Sequence, residues 1–450
     1  MMRRSLTILA GGAAALTLAL PVSAASASAA AVHMATAPKA SNSRYVAGLS
    51  ADMRPGAVPA AAAVAGLHYL DGVFCTSRTS CWAVGGQTGT GGTGMANQML
   101  YWNGTKWRQV SVPDPGGTGA DSVSQLFAVR CLAASDCWAV GNRSAGGALL
   151  NQALHWNGKK WTVVSTPDPG GNGNGKLSEL DDSTCVTSAD CWAVGDFGTA
   201  AQGATEQRSN QILHWNGRKW SRLRVVNPGG TRTGHVNSLY SVRCSSANDC
   251  IAVGDYGTTS ASGVLRNEVL SWNGKSWSRV STPNPGGTKP GGVNEAFALG
   301  CGAADSCWAA GTYGSTTSPV KNLDEVLRWN GKKWANATAP NPDGTGTGAA
   351  NQLFAATCVS SANCWALGIS GSTAVGVGVG RNVALHWNGR KWRKVSTPNP
   401  GGTAAGDINE LESVRCVSSG NCWGVGFVVS EAGVVRNEIL HWNGERWVAR

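Results

Sequence analysis

Cysteine, tryptophan and histidine are the residues whose types and spacing here lend themselves to chemistry. Fourteen cysteines fall into seven pairs, each with five residues between partners: Cys75 and Cys81, Cys131 and Cys137, Cys185 and Cys191, Cys244 and Cys250, Cys301 and Cys307, Cys358 and Cys364, Cys416 and Cys422. A zinc site asks for about four ligands, and no histidine lies within about five residues of any pair. An even count at fixed spacing reads instead as disulfides, provided the compartment is oxidising. Seven disulfides within the pairs are therefore expected, with no metal and no cofactor.

The tryptophans obey the same repeat. Six follow the second cysteine of a pair directly (Trp82, Trp138, Trp192, Trp308, Trp365, Trp423), and Ile251 stands in the remaining copy. The other fourteen form seven WNGxxW boxes, from Trp102/Trp107 to Trp442/Trp447. Indole faces can stack on sugar rings, but a large aromatic present in every copy is what packing between repeats requires. Packing is the expected role, with Ile251 filling the same space. His155, His214, His386 and His441 share one repeat position with Tyr101, Ser271 and Arg328, a freedom that speaks for an outer-edge polar residue and against a catalytic one. Among the carboxylates, Asp181-Asp182 and Asp324-Glu325 depart from the repeat. No G-x-S-x-G elbow, P-loop, H-E-x-x-H or EF-hand loop is present, so no residue is assigned a catalytic role.

These residues need elements to hold them. One copy reads L-x-x-V-x-C-x5-C-W-A-V-G, a variable stretch, then N-[QE]-x-L-H-W-N-G-K-K-W-x-x-V-S-T-P-N-P-G-G. Four short strands fit into it: an alternating first strand, the compact C-W-A-V-G, a third ending at L-H-W, and K-W-x-x-V-S. The Asn-Gly between the last two predicts a two-residue type I′ hairpin, which would set Leu100 opposite Trp107 and Trp102 opposite Thr105. Leu100, Trp102 and Trp107 then share one face. Glycine at 61 of 450 residues and sparse charge disfavour helix bundles. Four strands in each of seven long repeats predict an all-β, seven-bladed β-propeller with four antiparallel strands and one disulfide per blade. Its ends would close by face packing of blades one and seven, or with a supporting strand from 45–50.

The domain plan follows. Arg3 and Arg4, an apolar run and small residues predict a signal peptide over 1–24, with a second cleavage option after 27. An Ala/Ser/Pro-rich linker or arm spans 25–66. The propeller occupies 67–450, with repeats near 67–117, 118–171, 172–230, 231–287, 288–344, 345–402 and 403–450. A secreted, extracellular monomer with no transmembrane segment in its mature form is expected.

Charge points to partners. Lysine and arginine exceed aspartate and glutamate by eleven, and the WNGxxW turns carry many of the cations, among them Lys159, Lys160, Arg218 and Lys219. A positive rim suits a polyanion such as an anionic cell-wall polymer. Nucleic acid does not fit an exported chain without an aromatic-basic strip. Variable stretches after the second strands (Gly141–Leu150, Asp196–Ser209, Gly311–Leu323) are expected to form the recognition loops. Their charged residues, Arg143, Glu206, Arg208, Arg266, Lys321, Arg381 and Arg436, are the candidate ligand contacts. The polar residue five positions before each box (Asn97, Asn151, Asn210, Asn267, Asp324, Asn382, Asn437) is expected to cap nearby backbone.

The C-I-A-V-G-D-Y-G…N-E-V-L-S-W-N-G-K-S-W pattern of the fourth copy resembles BNR/Asp-box propeller repeats and the propeller of photosystem II assembly factors. Trp272 stands where the Asp box has its acid, so sialidase-like catalysis is not implied. The L-H-W-N-G-x-x-W segment is similar to repeats of bacterial seven-bladed lectins. The array over 67–450 resembles secreted actinobacterial C-x5-C/WNGxxW repeat proteins. The resemblance implies a non-catalytic, lectin-like module for cell-surface or cell-wall glycan, or a scaffold for another secreted protein. The alternative is a carbohydrate-active hydrolase or lyase, with Asp181, Asp182 or Glu412 gathered at the propeller channel.

Overall fold

The computed structural model describes residues 66–88, 94–199, 206–259, 263–317, 320–372, 379–430 and 434–450. The expected signal peptide, almost all of the expected linker and the possible supporting strand at 45–50 lie outside the described residues. Among the described residues the regular structure is β throughout: seven successive four-stranded antiparallel meanders, here sheets 1 to 7. No helix among them is long and apolar enough to cross a membrane.

Sheet 2 serves as the pattern, with strands Ser124–Ala133, Asp136–Ala145, Ala148–Trp156 and Trp161–Val163. The short turn between Ala133 and Asp136 sets Cys131 opposite Cys137 and lets the two sulfurs join. The other six expected pairs are bonded in the same way: Cys75 to Cys81, Cys185 to Cys191, Cys244 to Cys250, Cys301 to Cys307, Cys358 to Cys364 and Cys416 to Cys422. Their Cα atoms lie 3.9–4.0 Å apart, and no cysteine is free. The two ends of each bridge differ in surroundings. Cys81, Cys137, Cys191, Cys250, Cys307, Cys364 and Cys422 stand on the second strand, which has a neighbour on either side, and all seven are buried. Their partners on the first strand are half-buried, except Cys75 and Cys416, which are buried as well.

The L-x-x-V spacing breaks strict alternation, and a bulge absorbs it. Leu126 pairs with Gly141 and Ala128 with Val140, leaving Phe127 unpaired, so that Leu126, Val129 and Cys131 reach one cluster. The equivalent bulge recurs in every sheet.

Two expectations need correction. The Asn-Gly hairpin is a four-residue loop in which Trp102 pairs with Trp107 and Leu100 with Gln109. Asn103 holds this loop: its side-chain oxygen accepts the backbone N–H of Thr105 and of Lys106, and Gly104 takes a positive φ of 94°. The slip is an even number of residues, so the predicted shared face of Leu100, Trp102 and Trp107 survives. Over their described residues the variable stretches are also mostly strand. In sheet 2 they close in a tight turn at Gly146–Gly147, and in sheet 3 the second strand runs to Thr199 and the third begins at Arg208.

The core lies between sheets. Seven apolar clusters each draw on two neighbours, from Trp82 and Leu126 between sheets 1 and 2 to Trp423 and Leu70 between sheets 7 and 1. The buried cysteines belong to these clusters: Cys137 packs with Trp82, and Cys191 with Trp138. The first strands lie against one another in sequence order, and that of sheet 7 lies against that of sheet 1. There Val73 N–H donates to Ser413 Oγ at 3.2 Å. One narrow cavity of about 50 Å³ is touched by the first strands of all seven sheets. Repeated four-stranded sheets with one disulfide each, packed face to face, fit a β-propeller.

A polar layer crosses most of these interfaces. The capping asparagine of one sheet meets the following Gln or Glu of the next: Asn151 Nδ2 donates to Gln211 Oε1 at 2.8 Å, and Gln211 Nε2 returns a bond to Asn151 Oδ1 at 3.0 Å. The same asparagine donates to Pro167 O, which straps the proline segment to the sheet. Capping is thus its role, directed at the Pro-x-Pro segment. Where the partner is glutamate the exchange is one-sided. Asn382 donates to Glu438, while Asn382 Oδ1 and Glu438 Oε2 have no partner. Burial pushes Glu438 up to about 8, and raises Glu268 and Glu325 well above the carboxylate range.

The sign follows. A carboxyl raised from 4.5 to about 8 favours the folded state fully below pH 4.5, and that contribution is lost as pH rises to about 8. For Glu438 its upper bound is on the order of 5 kcal/mol. Denaturant unfolding should therefore show stability falling between pH 5 and pH 8. Glu438→Gln, which installs the partner already used at Gln152 and Gln211, should flatten that fall and be the more stable form at pH 9. A fall of unchanged size in the variant contradicts the assignment.

Candidate functional site

Six of the seven sheet interfaces are built around one indole. The tryptophan after the second cysteine is buried and inserts between the two box tryptophans of the next sheet. Trp138 meets Trp215 at 5.0 Å and Trp220 at 5.1 Å, the latter nearly edge-on at 82°. The geometry recurs for Trp82, Trp192, Trp308, Trp365 and Trp423. The histidine position covers this indole: His155 lies 4.6 Å from Trp138 and bonds Asp136 Oδ1 at 2.9 Å, and His214 repeats this with Trp192 and Asp190. Tyr101 and Arg328 cover Trp82 and Trp308 in the same way. Offset and edge-on aromatic contacts of this kind contribute about 0.5–1.5 kcal/mol each beyond area burial.

Sheet 4 breaks the pattern twice in one place. Ile251 replaces the inserted indole, and Ser271 replaces its cover. Ile251 packs as expected, buried in the apolar cluster between sheets 4 and 5, but it fills only part of the space that an indole takes. A cavity of about 260 Å³ opens between sheets 4 and 5, lined by Asp249, Ile251, Ser271, Asp305, Trp329 and Trp334 among others. Trp329 and Trp334, 5.6 Å apart, hold the tilt of the other box pairs but receive no third ring. In the other six boxes the first indole N–H donates to a carbonyl of its own disulfide turn, as Trp156 does to Ala134 O at 3.1 Å. Trp329 makes no such bond among the described residues. Asp249, without a histidine to bond, accepts from Ser245 Oγ. The site therefore joins a partly exposed indole wall, an unused indole donor, a hydroxyl and two carboxylates. It was legible only as two substitutions in one copy, each innocuous alone.

The sequence-selected contacts are scattered. Arg208 and Glu206 are buried: Arg208 bonds Asp196 at 2.8 Å, Glu206 at 3.2 Å and Glu179 at 3.4 Å. They are an internal ion network and not surface contacts, because the third strand starts at Arg208 and carries it inward. Arg143 and Lys321 are partly buried on strands, and Arg266 donates to Thr288 O at 3.1 Å. Arg381 and Arg436 are exposed, on sheets 6 and 7. Apart from Glu206–Arg208, no hydrogen bond or ion pair joins any two of the seven among the described residues. Glu179, Asp181 and Asp196 are close enough to share an ion, but Arg208 already bonds two of them. The cysteines contribute no chemistry to any of these places. All fourteen are oxidised, and Cys81, Cys191, Cys250, Cys307, Cys364 and Cys422, like Cys137, sit inside the packing between sheets.

The acids named for the channel do come together. Asp181, Asp182 and Glu412 line the cavity touched by all seven sheets, with Asp71, Arg130 and Arg243. Asp182 is fully engaged. Arg130 at 3.1 Å, Arg243 at 2.6 Å, Ser241 Oγ at 2.9 Å and two backbone N–H groups all donate to it. Burial opposes its charge, but the two guanidiniums prevail and hold the carboxyl below the usual range. It is a fixed anion and no proton donor.

No protein-family profile matches the chain, and no curated protein matches it. Among solved structures, an ulvan lyase of polysaccharide lyase family 25 bound to a GlcA–Rha3S fragment is similar at 10% identity and TM-score 0.47, over 86% of this chain and 92% of that one. The β-propeller domain of the Trilobed protease from Pyrococcus furiosus is similar at 7% identity and TM-score 0.44, over 85% and 97%. An α-L-arabinofuranosidase from Fusarium graminearum follows at 12% and 0.40, over 83% and 92%.

The cavity yields a stability prediction. Ile251→Trp combined with Ser271→His restores the ring set of the other interfaces and should raise stability by about 1–2 kcal/mol. Trp308→Ile should open the matching space between sheets 5 and 6 and cost about 2–3 kcal/mol. Denaturant melts of the two variants check this, and a less stable double variant contradicts the packing account.

Proposed function

We propose that this chain is an exported, non-catalytic carbohydrate-binding module built as a closed seven-bladed β-propeller. The single observation that carries the reading is the cavity between sheets 4 and 5. An indole wall suits the C–H face of a pyranose ring, and a few fixed polar groups beside it suit the hydroxyls. Asp249 and Asp305 accept hydrogen bonds and repel anions, so the preferred ring is a neutral sugar. Seven disulfides belong to an oxidising compartment and agree with export. The likeness of the L-H-W-N-G-x-x-W segment to lectin repeats points the same way.

The cavity opens on the end that carries the disulfide turns and the WNG turns, since Asp249, Asp305 and Gly331 line it. The exposed cations Lys159, Lys160, Arg218 and Lys219 lie on WNG turns of the same kind. A wall polymer carrying neutral sugars between anionic groups would meet both features at once. Hydrolysis or lyase chemistry in the channel is the weaker reading. Its cavity of about 50 Å³ has no room for a sugar ring, and Asp182 is held as a paired anion.

A glycan array with the mature protein tests the proposal. Binding to neutral pyranose glycans is expected for the natural chain, at least tenfold weaker binding for Trp329→Ala, and none for Ile251→Trp/Ser271→His. Arg381→Ser/Arg436→Ser should bind as the natural chain does. Full binding by the filled double variant would refute the site.

A further inference from the structure

In most copies the residue before the second cysteine has one partner, the side chain that covers the inserted indole. His155 Nε2 lies 2.9 Å from Asp136 Oδ1, and His214 Nε2 lies 2.9 Å from Asp190 Oδ1. Tyr101 reaches Ser80 Oγ at 3.3 Å, His386 reaches Asn363 Oδ1 at 3.0 Å, and Asn421 meets His441 at 3.1 Å. An ionised carboxylate only accepts, so in sheets 2 and 3 each aspartate holds the N–H of a flat ring. That ring lies in turn on an indole, 4.6 Å from Trp138 and 4.4 Å from Trp192. Sheet 4 keeps the carboxylate and lacks both rings. Asp249 stands where Asp136 and Asp190 stand, with Ile251 and Ser271 in place of the indole and the imidazole. Its Oδ2 accepts from Ser245, and its Oδ1 accepts nothing among the described residues.

The rest of the cavity grades from apolar to polar. Ile251 and Val269 are buried and Val280 is partly so, while Asp305 and Gly331 are exposed at the outer end. Asp305 is itself a departure, since the other copies have Thr79, Ser135, Ala189, Asn248, Ala362 or Gly420 there. Lys275, Lys332 and Lys333 are exposed on the flanking WNG turns. No cation lines the cavity, and among the described residues none pairs with Asp249 or Asp305. A volume of about 260 Å³ suits a single sugar residue. We infer that this cavity selects a pyranose bearing an acetamido group. The inference rests on the sugar-binding reading of the same cavity and narrows it. The amide is flat, and its N–H takes the place of the imidazole N–H on Asp249 Oδ1. The sugar ring lies on Trp329, its hydroxyls reach Ser271 and Asp305, and the acetyl methyl covers the side chains of Ile251, Val269 and Val280. A hydroxyl in place of the acetamido group brings no methyl to that apolar lining. A protonated amine answers the carboxylates but leaves the same lining bare.

Calorimetric titration of the mature protein with methyl glycosides tests this. The set is N-acetylglucosamine and N-acetylgalactosamine against glucose, galactose and glucosamine. At least one acetamido sugar should bind tenfold or more tighter than its hydroxyl counterpart, the worth of about one hydrogen bond to a charged acceptor. It should also bind tighter than glucosamine. Asp249→Ala should shift Tm little and bring the acetamido-to-hydroxyl ratio to about one. Asp249→Asn keeps an Oδ1 acceptor, and asparagine already stands at this position as Asn363 and Asn421. It should therefore retain most of the ratio. Equal affinity for acetamido and hydroxyl sugars, tighter binding of glucosamine, or an unchanged ratio in Asp249→Ala overturns the inference and leaves the sugar site standing. Absence of binding by every sugar, here and on the glycan array, overturns both.

Discussion

One buried indole set between two others is the contact on which this structure depends. A four-stranded meander of about fifty residues has two faces to cover and no core of its own. Every sheet but the fourth covers one face by pushing its second-strand tryptophan between the box tryptophans of its neighbour, as Trp138 and Trp192 do. The disulfide and the asparagine-stabilised WNG loop place the ends of the strands that carry these rings. The glycine of each WNG loop lies against the disulfide turn of its own sheet, as Gly158 does against Ser135 and Gly217 against Ala189. Packing of this kind tolerates little change in volume, so an interface without its central ring stays open and does not collapse.

That rule converts a departure from the repeat into a cavity. Six interfaces hold the ring and its cover. Between sheets 4 and 5 the loss of both leaves the box tryptophans facing a cavity with carboxylates at its edge. It lies toward the end with the disulfide turns, the end whose connections are shortest and most uniform.

Much of this was legible in the sequence because repetition amplifies weak signals. Seven Cys pairs named the disulfides, and the fixed offsets of tryptophan named the packing residues. The four-strand unit followed from Asn-Gly, Pro and Gly punctuation. The register of the WNG hairpin was not legible, since Asn103 can either take a positive φ or cap the loop with its side chain, and only the geometry distinguishes the two. Reading the variable stretches as loops failed for a related reason. Residues such as Arg208 look like surface charge until strand extension buries them beside Glu179 and Asp196. The candidate site was missed because Ile251 and Ser271 are each conservative in polarity. Their meaning is volumetric, and it appears only when the partner tryptophans on the next sheet are in place.

The central claim is that the missing ring at Ile251 makes Trp329 and Trp334 a ligand platform while the remaining indoles only pack. An ¹⁵N-indole NMR titration of the mature protein with a neutral glycan that it retains tests this most directly, because every tryptophan reports separately. The account predicts saturable shifts at the Trp329 and Trp334 side-chain N–H signals, with the other eighteen nearly still. Shifts centred on a box of any other sheet, or spread evenly over all seven, would contradict it.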